Sequence, residues 1–223
     1  MMKIVSWNCQ GRFRYKYPAI QKLFADIYVI QECENPEKYK RKFEGFLTDY
    51  VWYGDKESKG LAIFFSPEIK YEINDWPVYC LRHFLSLKIN NAFDLLGVWA
   101  GPPYIEEYCI YQAINIDKYD ENTVVIGDFN SNAIWDKQHG KRNHSVVVKQ
   151  LESKGLISAY HYVTGEKQGM ETQSTFCMYK HLERKYHIDY CFLNPDHIKD
   201  FRILDENVWL KLSDHYPIQI ETY

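Results

Sequence analysis

The sequence predicts an α/β (α+β) fold, a four-layer sandwich in which two mixed β-sheets pack together and helices flank them. Three observations predict it: strand-like segments dominate, helical segments lie between them, and the connections imply both antiparallel and parallel neighbours. The chain has 223 residues, of which 46% are hydrophobic and 17% aromatic, a composition typical of a globular protein rich in β-structure. We therefore expect one domain over residues 1–223, with a single mixed sheet as the alternative architecture.

The N-terminal segment is typical of a β-α-β unit. Residues 3–9 alternate between two faces, as a strand does. Residues 17–25 carry apolar side chains at helical spacing, which predicts a helix. Residues 27–32 form a short apolar run that ends at Glu32, and this pattern indicates a buried strand with a carboxylate at its end.

Alternation, helical spacing and turn residues predict the remaining elements. A turn is expected around Gly54-Asp55. A second turn is expected at Asn90-Asn91, because Asn tolerates the positive φ of a two-residue turn. Gly155 is expected to end a helix. The predicted strands cover residues 46–53, 61–66, 69–73, 84–89, 92–99, 123–126, 175–178, 188–193, 201–204 and 217–221, and the predicted helices cover residues 105–116 and 145–154.

Charge and cysteine usage exclude several classes of protein. A net charge of -3 and a pI near 6.2 lack the basic footprint of a dedicated duplex-DNA binder, so any contact with a polyanion must be local. The six cysteines contain no Cys-x-x-Cys pair, which favours buried free thiols over zinc or dithiol chemistry. The sequence has no signal-peptide pattern and no apolar stretch of about 20 residues, so we expect a cytoplasmic protein without a membrane span.

The strongest local signal follows the predicted strand at residues 123–126. The chain there reads Gly127-Asp128-Phe129-Asn130, and strand alternation would aim Asp128 and Asn130 the same way, with Phe129 in the core. A water molecule and a phosphate could bind beside these two polar side chains. The alternative is a turn in which Asp and Asn hydrogen-bond to their own backbone.

Five further polar residues lie at strand ends or inside an apolar strand. Asp214 and His215 precede the last strand, although an adjacent acid and imidazole also commonly serve as caps. Asp189 lies within an apolar strand, where an ionised carboxylate needs either a salt-bridge partner or a histidine to orient. Glu32 and Asn8 each end an early strand, a place where solvated polar residues are also common.

Together, these side chains supply the parts of a magnesium and phosphate site. Mg²⁺ prefers oxygen ligands and usually takes one or two carboxylates while it keeps several waters. Phosphodiester hydrolysis also needs a positioned water and groups that stabilise the charge on the phosphate. Segments far apart along the chain deliver amides, carboxylates and an imidazole of this kind.

Five short motifs resemble, in their order along the chain, those of the endonuclease/exonuclease/phosphatase family. They are Trp7-Asn8-x-x-Gly11, Gln31-Glu32, Gly127-Asp128-Phe129-Asn130, Ile188-Asp189-Tyr190 and Ser213-Asp214-His215-x-Pro217-Ile218. The resemblance spans nearly the whole chain. It implies a deoxyribonuclease I-like fold and a metal-dependent hydrolase of phosphoester bonds, in a family that includes deoxyribonuclease I-like nucleases, abasic-site endonucleases and inositol-polyphosphate phosphatases.

The resemblance implies one principal metal site. Glu32 would be the main ligand of a Mg²⁺ ion, for which Mn²⁺ could substitute. Asn8 would lie beside it, and Asp214 would contribute directly or through water. Gln10 stands where some nucleases of the family have an acid, which weakens the case for a second tightly held metal.

The resemblance also implies the acid–base chemistry. Asp128 would align the attacking water or accept its proton, and Asn130 would hold Asp128 and a phosphate oxygen. His215, oriented by Asp189, would donate a hydrogen bond to the developing charge of the phosphate. The family is divided on whether the Asp or the His is the base, and both assignments stay open at this stage. His187 stands where a basic Arg often precedes the Ile-Asp pair.

The residues expected to contact substrate are Trp99 and three basic side chains. Trp99 stands where many relatives present His or Tyr to the phosphate, but an indole cannot shuttle a proton, so it is expected to be core or a surface on which a base stacks. Lys141 and Arg142 follow Gly-Asp-Phe-Asn, and Arg184 precedes Ile-Asp-Tyr. They would attract a phosphate backbone, unless they are only solvated surface charge.

A short chain with few insertions favours an open groove over a deep headgroup pocket. The expected function is therefore a nuclease that hydrolyses phosphodiester bonds of DNA or RNA by in-line attack of water, without an obligate protein partner. One alternative is a phosphatase or phosphodiesterase of a small-molecule or lipid phosphoester. Another is a catalytically silent binding module, against which the retained polar residues argue, because buried carboxylates without a function are costly.

Overall fold

Two mixed β-sheets form the centre of the molecule, which confirms the predicted fold class. The computed structural model describes residues 1–43, 45–46 and 49–223. In chain order its strands are β1 Met2–Asn8, β2 Ile27–Cys33, β3 Asp49–Lys56, β4 Lys59–Phe65, β5 Tyr71–Ile73, β6 Phe84–Ile89, β7 Phe93–Trp99, β8 Thr123–Asp128, β9 Ile157–Ser158, β10 Phe176–Cys177, β11 Lys185–Tyr186, β12 Asp189–Leu193, β13 Ile198–Ile203 and β14 Ile218–Thr222. One six-stranded sheet has the order β13-β14-β1-β2-β4-β3, and the other has the order β5-β6-β7-β8-β12-β9.

Helices flank both sheets. They are α1 Tyr17–Ile20, α2 Ile105–Asn115, α3 Asp136–His139, α4 His144–Glu152, α5 Ala159–Thr164 and α6 Glu206–Trp209. Ile105 of α2 and Val147 of α4 pack in one apolar cluster with Val125 of β8. Ile20 of α1 and Trp209 of α6 pack with the outer face of the first sheet. The result is the expected order of four layers.

The two sheets pack face to face through aliphatic side chains. Val29 and Ile63 of the first sheet share one buried cluster with Leu95 and Ile126 of the second. Gly97 marks a close approach, because an added Cβ would lie 3.0 Å from the Ile63 side chain and 3.2 Å from that of Val29. A larger residue there would therefore force these side chains to shift.

The strand polarity brings the polar strand ends to one edge of the sandwich. Each sheet contains a parallel pair, β1 with β2 and β7 with β8. Parallel strands end at the same edge, and there β1 ends at Asn8 and β8 at Asp128. β12 runs antiparallel to β8 and begins at Asp189, directly opposite Asp128. Side chains far apart along the chain thus meet at one place.

Most predicted elements are confirmed, with two corrections in the first half. The predicted turn at Gly54-Asp55 is wrong, because β3 continues to Lys56 and the turn lies at residues 57–58, where Lys56 pairs with Lys59. The predicted helix over residues 17–25 ends early, because Phe24 adopts a left-handed φ of 50° that a helix cannot contain.

Other differences concern element ends and one cysteine. The predicted strand 46–53 begins at Asp49, and residues 47 and 48 of that prediction lie outside the described part of the chain. The strands predicted over 69–73 and 175–178 are only three and two residues long.

Five cysteines are buried free thiols as expected, but Cys80 is exposed, because it lies in the loop between β5 and β6. Among the described residues, no helix has the length and apolar character needed to cross a membrane.

Candidate active site

Asp128 lies at the centre of the polar edge. Its carboxylate is fully buried and accepts three hydrogen bonds. Asn8 Nδ2 donates to Oδ2 at 2.9 Å, which joins the end of β1 to the end of β8. Asn130 donates to Oδ2 from its side chain at 3.0 Å and to Oδ1 from its backbone at 2.8 Å. The carboxylate is therefore fixed from two sides.

Asn130 reaches Asp128 in a way that differs from the expected strand alternation. Asn130 has a φ of 47°, so the strand ends at Asp128 and the chain enters a left-handed turn. The side chain of Asp128 caps this turn, as Asp side chains often do. Phe129 is fully buried as predicted. The turn and the convergence of polar groups, which were alternatives in the sequence, are thus present together.

His215 and Asp189 form a buried pair beside Asp128. His215 Nδ1 lies 2.9 Å from Asp189 Oδ2, and its Nε2 lies 3.9 Å from Asp128 Oδ2. The Trp7 indole donates to the His215 carbonyl oxygen, and the Ser213 hydroxyl accepts from the His215 N–H. These bonds hold both the backbone and the ring of His215, so the imidazole is presented to Asp128 in one orientation.

Burial and charge together shift the pKa values of this group. Burial raises the pKa of Asp128 to about 7, although the nearby His215 cation opposes the shift. Burial alone would lower the pKa of His215, but the carboxylates of Asp189 and Asp128 outweigh it and raise that pKa to about 10. At neutral pH the imidazole is therefore a cation with an N–H on each ring nitrogen, of which Nδ1 donates to Asp189.

Glu32 lies on the more open side of the same edge. It has a φ of 59° at an irregularity in the pairing of β2 with β4, and such a bulge turns a side chain away from the regular strand direction. Glu32 Oε2 lies 2.7 Å from Lys59 Nζ, with side-chain exposures of 18% for Glu32 and 49% for Lys59. Lys59 thus holds one carboxylate oxygen of Glu32.

Asn8 and Asp214 are joined through Gln10. The Gln10 backbone N–H donates to Asn8 Oδ1 at 3.0 Å, and its side-chain amide donates to Asp214 Oδ2 at 2.9 Å. Gln10, which stands where some relatives have an acid, therefore orients the side chains on either side of it. The Ser213 hydroxyl donates to the Asn8 carbonyl at 2.7 Å and fixes the end of β1.

The donor chemistry here fits a magnesium ion. Glu32, Asn8 and Asp214 offer only carboxylate and amide oxygens, the ligands that Mg²⁺ prefers. A second group is also able to hold a metal, since ligand atoms of Asp128, Asp189 and His215 lie within 4.8 Å of one another. In that group the histidine is protonated and already bonded to carboxylate, and a metal would have to displace this proton.

A cavity of about 410 Å³ opens beside Asp214 and Asn130. Four aromatic side chains contribute to its wall, those of Tyr104, Trp135, Phe176 and Tyr179. The Phe176 ring also packs against the His215 ring, with 4.6 Å between the ring centroids. An aromatic cavity next to a polar cluster is suited to a ligand with a flat or apolar part and a charged part.

The four expected substrate contacts lie outside this cavity wall, as far as the described residues define it. Trp99 is half-buried, and it pairs in register with Asp128 across β7 and β8. Lys141 and Arg184 are exposed, and Arg142 Nη2 lies 3.8 Å from Glu106 Oε2 on the surface. Their roles in substrate binding stay predictions.

Sequence reasoning missed two supporting residues. Lys59 lies at the start of β4, and only the hairpin register between β3 and β4 brings it to Glu32. The buried hydroxyl of Thr175 accepts the backbone N–H groups of Ile188 and Asp189, each at 3.0 Å. His187, the departure from the basic pattern, is buried and contacts the Gln173 carbonyl oxygen at 2.9 Å.

Several solved structures share this architecture over nearly their whole length. A 3'-5' exonuclease, NExo, from Neisseria Meningitidis is 22% identical, covers 99% of each chain and has a TM-score of 0.72. A structure of the 3' phosphatase NExo from Neisseria bound to product DNA hairpin is 19% identical, covers 100% of each chain and has a TM-score of 0.72. An AP endonuclease from Archaeoglobus fulgidus is 18% identical, covers 100% of this chain and 99% of its own, and has a TM-score of 0.76.

No protein-family model matches the sequence. The structural matches instead extend over nearly the whole chain. They confirm the fold that the five motifs imply. The chain has the deoxyribonuclease I-like fold, the fold of the exonuclease, phosphatase and endonuclease structures to which it is similar.

Proposed function

We propose that this chain is a metal-dependent phosphodiesterase whose substrate is a nucleic acid. The observation that carries the proposal lies at one edge of the sandwich, where Asn8 and Asn130 hydrogen-bond to Asp128 and the hydrogen-bonded pair of Asp189 and His215 lies beside them, with His215 Nε2 3.9 Å from Asp128 Oδ2. This group buries two carboxylates and an imidazole from separate strand ends. Buried charge is costly, and strongly shifted pKa values in a cleft are typical of catalytic sites.

Asp128 acts as the general base toward the attacking water. Its pKa of about 7 lies near neutral pH, where a base is most effective. The hydrogen bonds from Asn8 and Asn130 fix the carboxylate without using every lone pair of its oxygens. One oxygen site is therefore available for the water.

His215 acts as a donor to the phosphate rather than as the base. Asp189 holds Nδ1, so Nε2 is the nitrogen that faces the reacting group. A pKa of about 10 keeps the ring protonated at neutral pH, which makes it a weak base and a good donor to developing negative charge. Of the two assignments left open by the sequence, this geometry supports Asp128.

Glu32, Asn8 and Asp214 would hold the Mg²⁺ ion, with Mn²⁺ as a substitute. Bound there, the ion would supply positive charge to a phosphate oxygen. Lys59 orients the Glu32 carboxylate by holding Oε2 and leaves Oε1 for the ion. Gln10 does the same for Asp214, because it occupies one of the two carboxylate oxygens.

A nucleic acid is supported as substrate by the surroundings of the site. The aromatic cavity beside Asp214 suits the flat bases and sugars that flank a phosphodiester. Similar structures are described as an exonuclease, an AP endonuclease and a phosphatase with a product DNA hairpin. We infer that this chain acts on the same class of polymer.

Activity profiling tests the proposal. Purified protein is incubated with Mg²⁺ or Mn²⁺ and with plasmid DNA, single-stranded DNA, RNA and a panel of small phosphomonoesters and phosphodiesters. We expect cleavage of at least one nucleic acid, loss of cleavage in EDTA, and loss of cleavage in the Asp128→Asn variant.

The outcomes separate the alternatives. Turnover of an inositol or lipid phosphoester, with every nucleic acid intact, would replace the nuclease with a small-molecule phosphatase. If no phosphoester is cleaved under any metal condition, the catalytic proposal fails and a silent binding module takes its place.

A further inference from the structure

A row of aromatic rings begins beside the proposed metal ligand Glu32. Lys59 Nζ, which pairs with Glu32, lies 5.8 Å from the centroid of the Trp99 ring. The centroid of the His83 ring lies 4.4 Å from that of the Trp99 ring, and the centroid of the Tyr53 ring lies 6.1 Å from that of the His83 ring. We call Trp99, His83 and Tyr53 the aromatic row. It leads from the edge that carries Glu32 toward the surface.

The aromatic row borders open space. Tyr53 is 42% exposed, and His83 and Trp99 are half-buried. Tyr53 and His83 line a cavity of about 190 Å³. Burial lowers the pKa of His83 below its ordinary value, so its ring is neutral at neutral pH. His83 Nδ1 is buried and has no hydrogen-bond partner among the described residues. These rings therefore offer surface to a ligand.

The hairpin that carries Tyr53 and Lys59 is held firmly against the site. Trp52 Nε1 donates to the Cys33 carbonyl at 3.0 Å, which ties β3 to the strand end that carries Glu32. Gly54 permits this packing, because an added Cβ would lie 2.6 Å from both the Lys59 carbonyl oxygen and the Trp52 ring. A surface that is already ordered loses little entropy when a ligand binds.

We propose that the aromatic row binds unpaired bases of a single-stranded nucleic acid, with Lys59 contacting the phosphate next to the first base. The inference rests on the proposed nuclease function and names its substrate class more closely. Lys59 has three N–H donors, so it can pair with Glu32 and still bind a phosphate oxygen. Trp99 would hold the first base, and Tyr53 a base farther along the strand.

Stacking explains why the strand should be unpaired. Every base presents a flat face that stacks on an aromatic ring, whereas in a duplex the neighbouring bases already cover those faces. The chain has a net charge of -3, so general attraction for a polyanion cannot supply the affinity. Local stacking and the single Lys59 contact supply it instead.

Equilibrium binding in EDTA, followed by fluorescence anisotropy, tests the inference without cleavage of the strand. The probes are a labelled thymidine strand of about 12 nucleotides, an abasic strand of the same length and a duplex of the same length. The variants are Tyr53→Ala, Tyr53→Phe and Tyr223→Ala. Tyr223 is a matched control because it is an exposed tyrosine, 75% accessible, that lies far from the site. It comes directly after Thr222, which pairs with Met2 at the start of β1, whereas Asn8 lies at the other end of that strand.

We expect Tyr53→Ala to weaken binding of the thymidine strand about tenfold, the loss of one stacked base. Tyr53→Phe keeps the ring and should stay within about twofold of the wild type, as should Tyr223→Ala. The abasic strand should bind the wild-type protein more weakly and be insensitive to Tyr53→Ala.

The inference would be overturned if Tyr53→Ala weakened binding of the abasic strand or the duplex as much as binding of the thymidine strand. It would also be overturned if the wild-type protein bound the thymidine and abasic strands with equal affinity. Base-dependent binding without cleavage in Mg²⁺ would overturn the proposed function alone. Cleavage with base-independent binding would overturn this inference alone.

Discussion

The two sheets contribute different halves to the candidate site. The second sheet, with the loop before β14, contributes a buried half in which Asp128, Asp189 and His215 are 0%, 2% and 4% exposed. The first sheet contributes an open half, in which the Glu32 side chain is 18% exposed and its partner Lys59 is 49% exposed. Asn8 joins the halves through its hydrogen bond to Asp128.

The difference in exposure allows one edge to carry two kinds of chemistry. In the buried half, loss of water raises the pKa of Asp128 to about 7, and the neighbouring carboxylates raise that of His215 to about 10, so a base and a proton donor can coexist at neutral pH. In the open half, water reaches Glu32, and an ion that keeps part of its hydration shell can enter. We therefore expect substitutions in the two halves to fail in different ways.

The largest effect is expected in the buried half, from Asp128→Asn. The variant keeps the shape of the side chain but removes the base, so kcat should fall by about 10²- to 10⁴-fold. Steady-state kinetics on the best nucleic-acid substrate measure this. Asp117→Asn, at an exposed aspartate in the segment after α2, is the matched control and should leave kcat unchanged. A kcat for Asp128→Asn within about tenfold of the wild type would remove Asp128 from the role of base.

The pH dependence of kcat/KM should report both buried groups. Asp128 must be ionised to accept a proton, so activity should rise with pH through about 7. His215 must be protonated to donate, so activity should fall as pH passes through about 10. Asp189→Asn removes the carboxylate paired with His215 and should lower the alkaline limit by more than about one pH unit. An alkaline limit that does not move would show that another group sets it.

A smaller effect, on stability, is expected from the support beneath Asp189. Thr175→Val leaves the buried N–H groups of Ile188 and Asp189 without their acceptor, which should lower the free energy of unfolding by about 1–3 kcal/mol. Urea denaturation measures the change. Thr175→Ser retains the hydroxyl and is the control, so a loss in Thr175→Val no larger than that in Thr175→Ser would show that the hydroxyl acceptor is not the main contribution.

The location of the candidate site could be predicted from the sequence because strand patterns are local and each polar side chain stands at the end of such a pattern. Asn8 and Asp128 are 120 residues apart, yet each ends a strand that has a parallel neighbour. Alternation over a few residues is enough to identify such strand ends. The order of five motifs then supplied a resemblance whose implied fold is confirmed.

The supporting contacts could not be predicted, because they depend on register and backbone conformation. Lys59 reaches Glu32 only because the hairpin turn lies at residues 57–58 instead of Gly54-Asp55. Asn130 approaches Asp128 through a left-handed turn, a conformation that the residue type permits but does not require. Thr175 meets the start of β12 through a loop with no periodic pattern. Each contact needs distances that only the folded chain defines.

Calorimetric titration of Mn²⁺ into the metal-free protein tests the division between the halves most directly. We expect Glu32→Gln to weaken Mn²⁺ binding by about tenfold or more, while Asp128→Asn changes it by no more than about twofold and still lowers kcat by about 10²- to 10⁴-fold. The opposite pattern, in which Asp128→Asn abolishes Mn²⁺ binding and Glu32→Gln leaves it intact, would place the metal among Asp128, Asp189 and His215. That result would contradict the separation of metal binding from proton transfer.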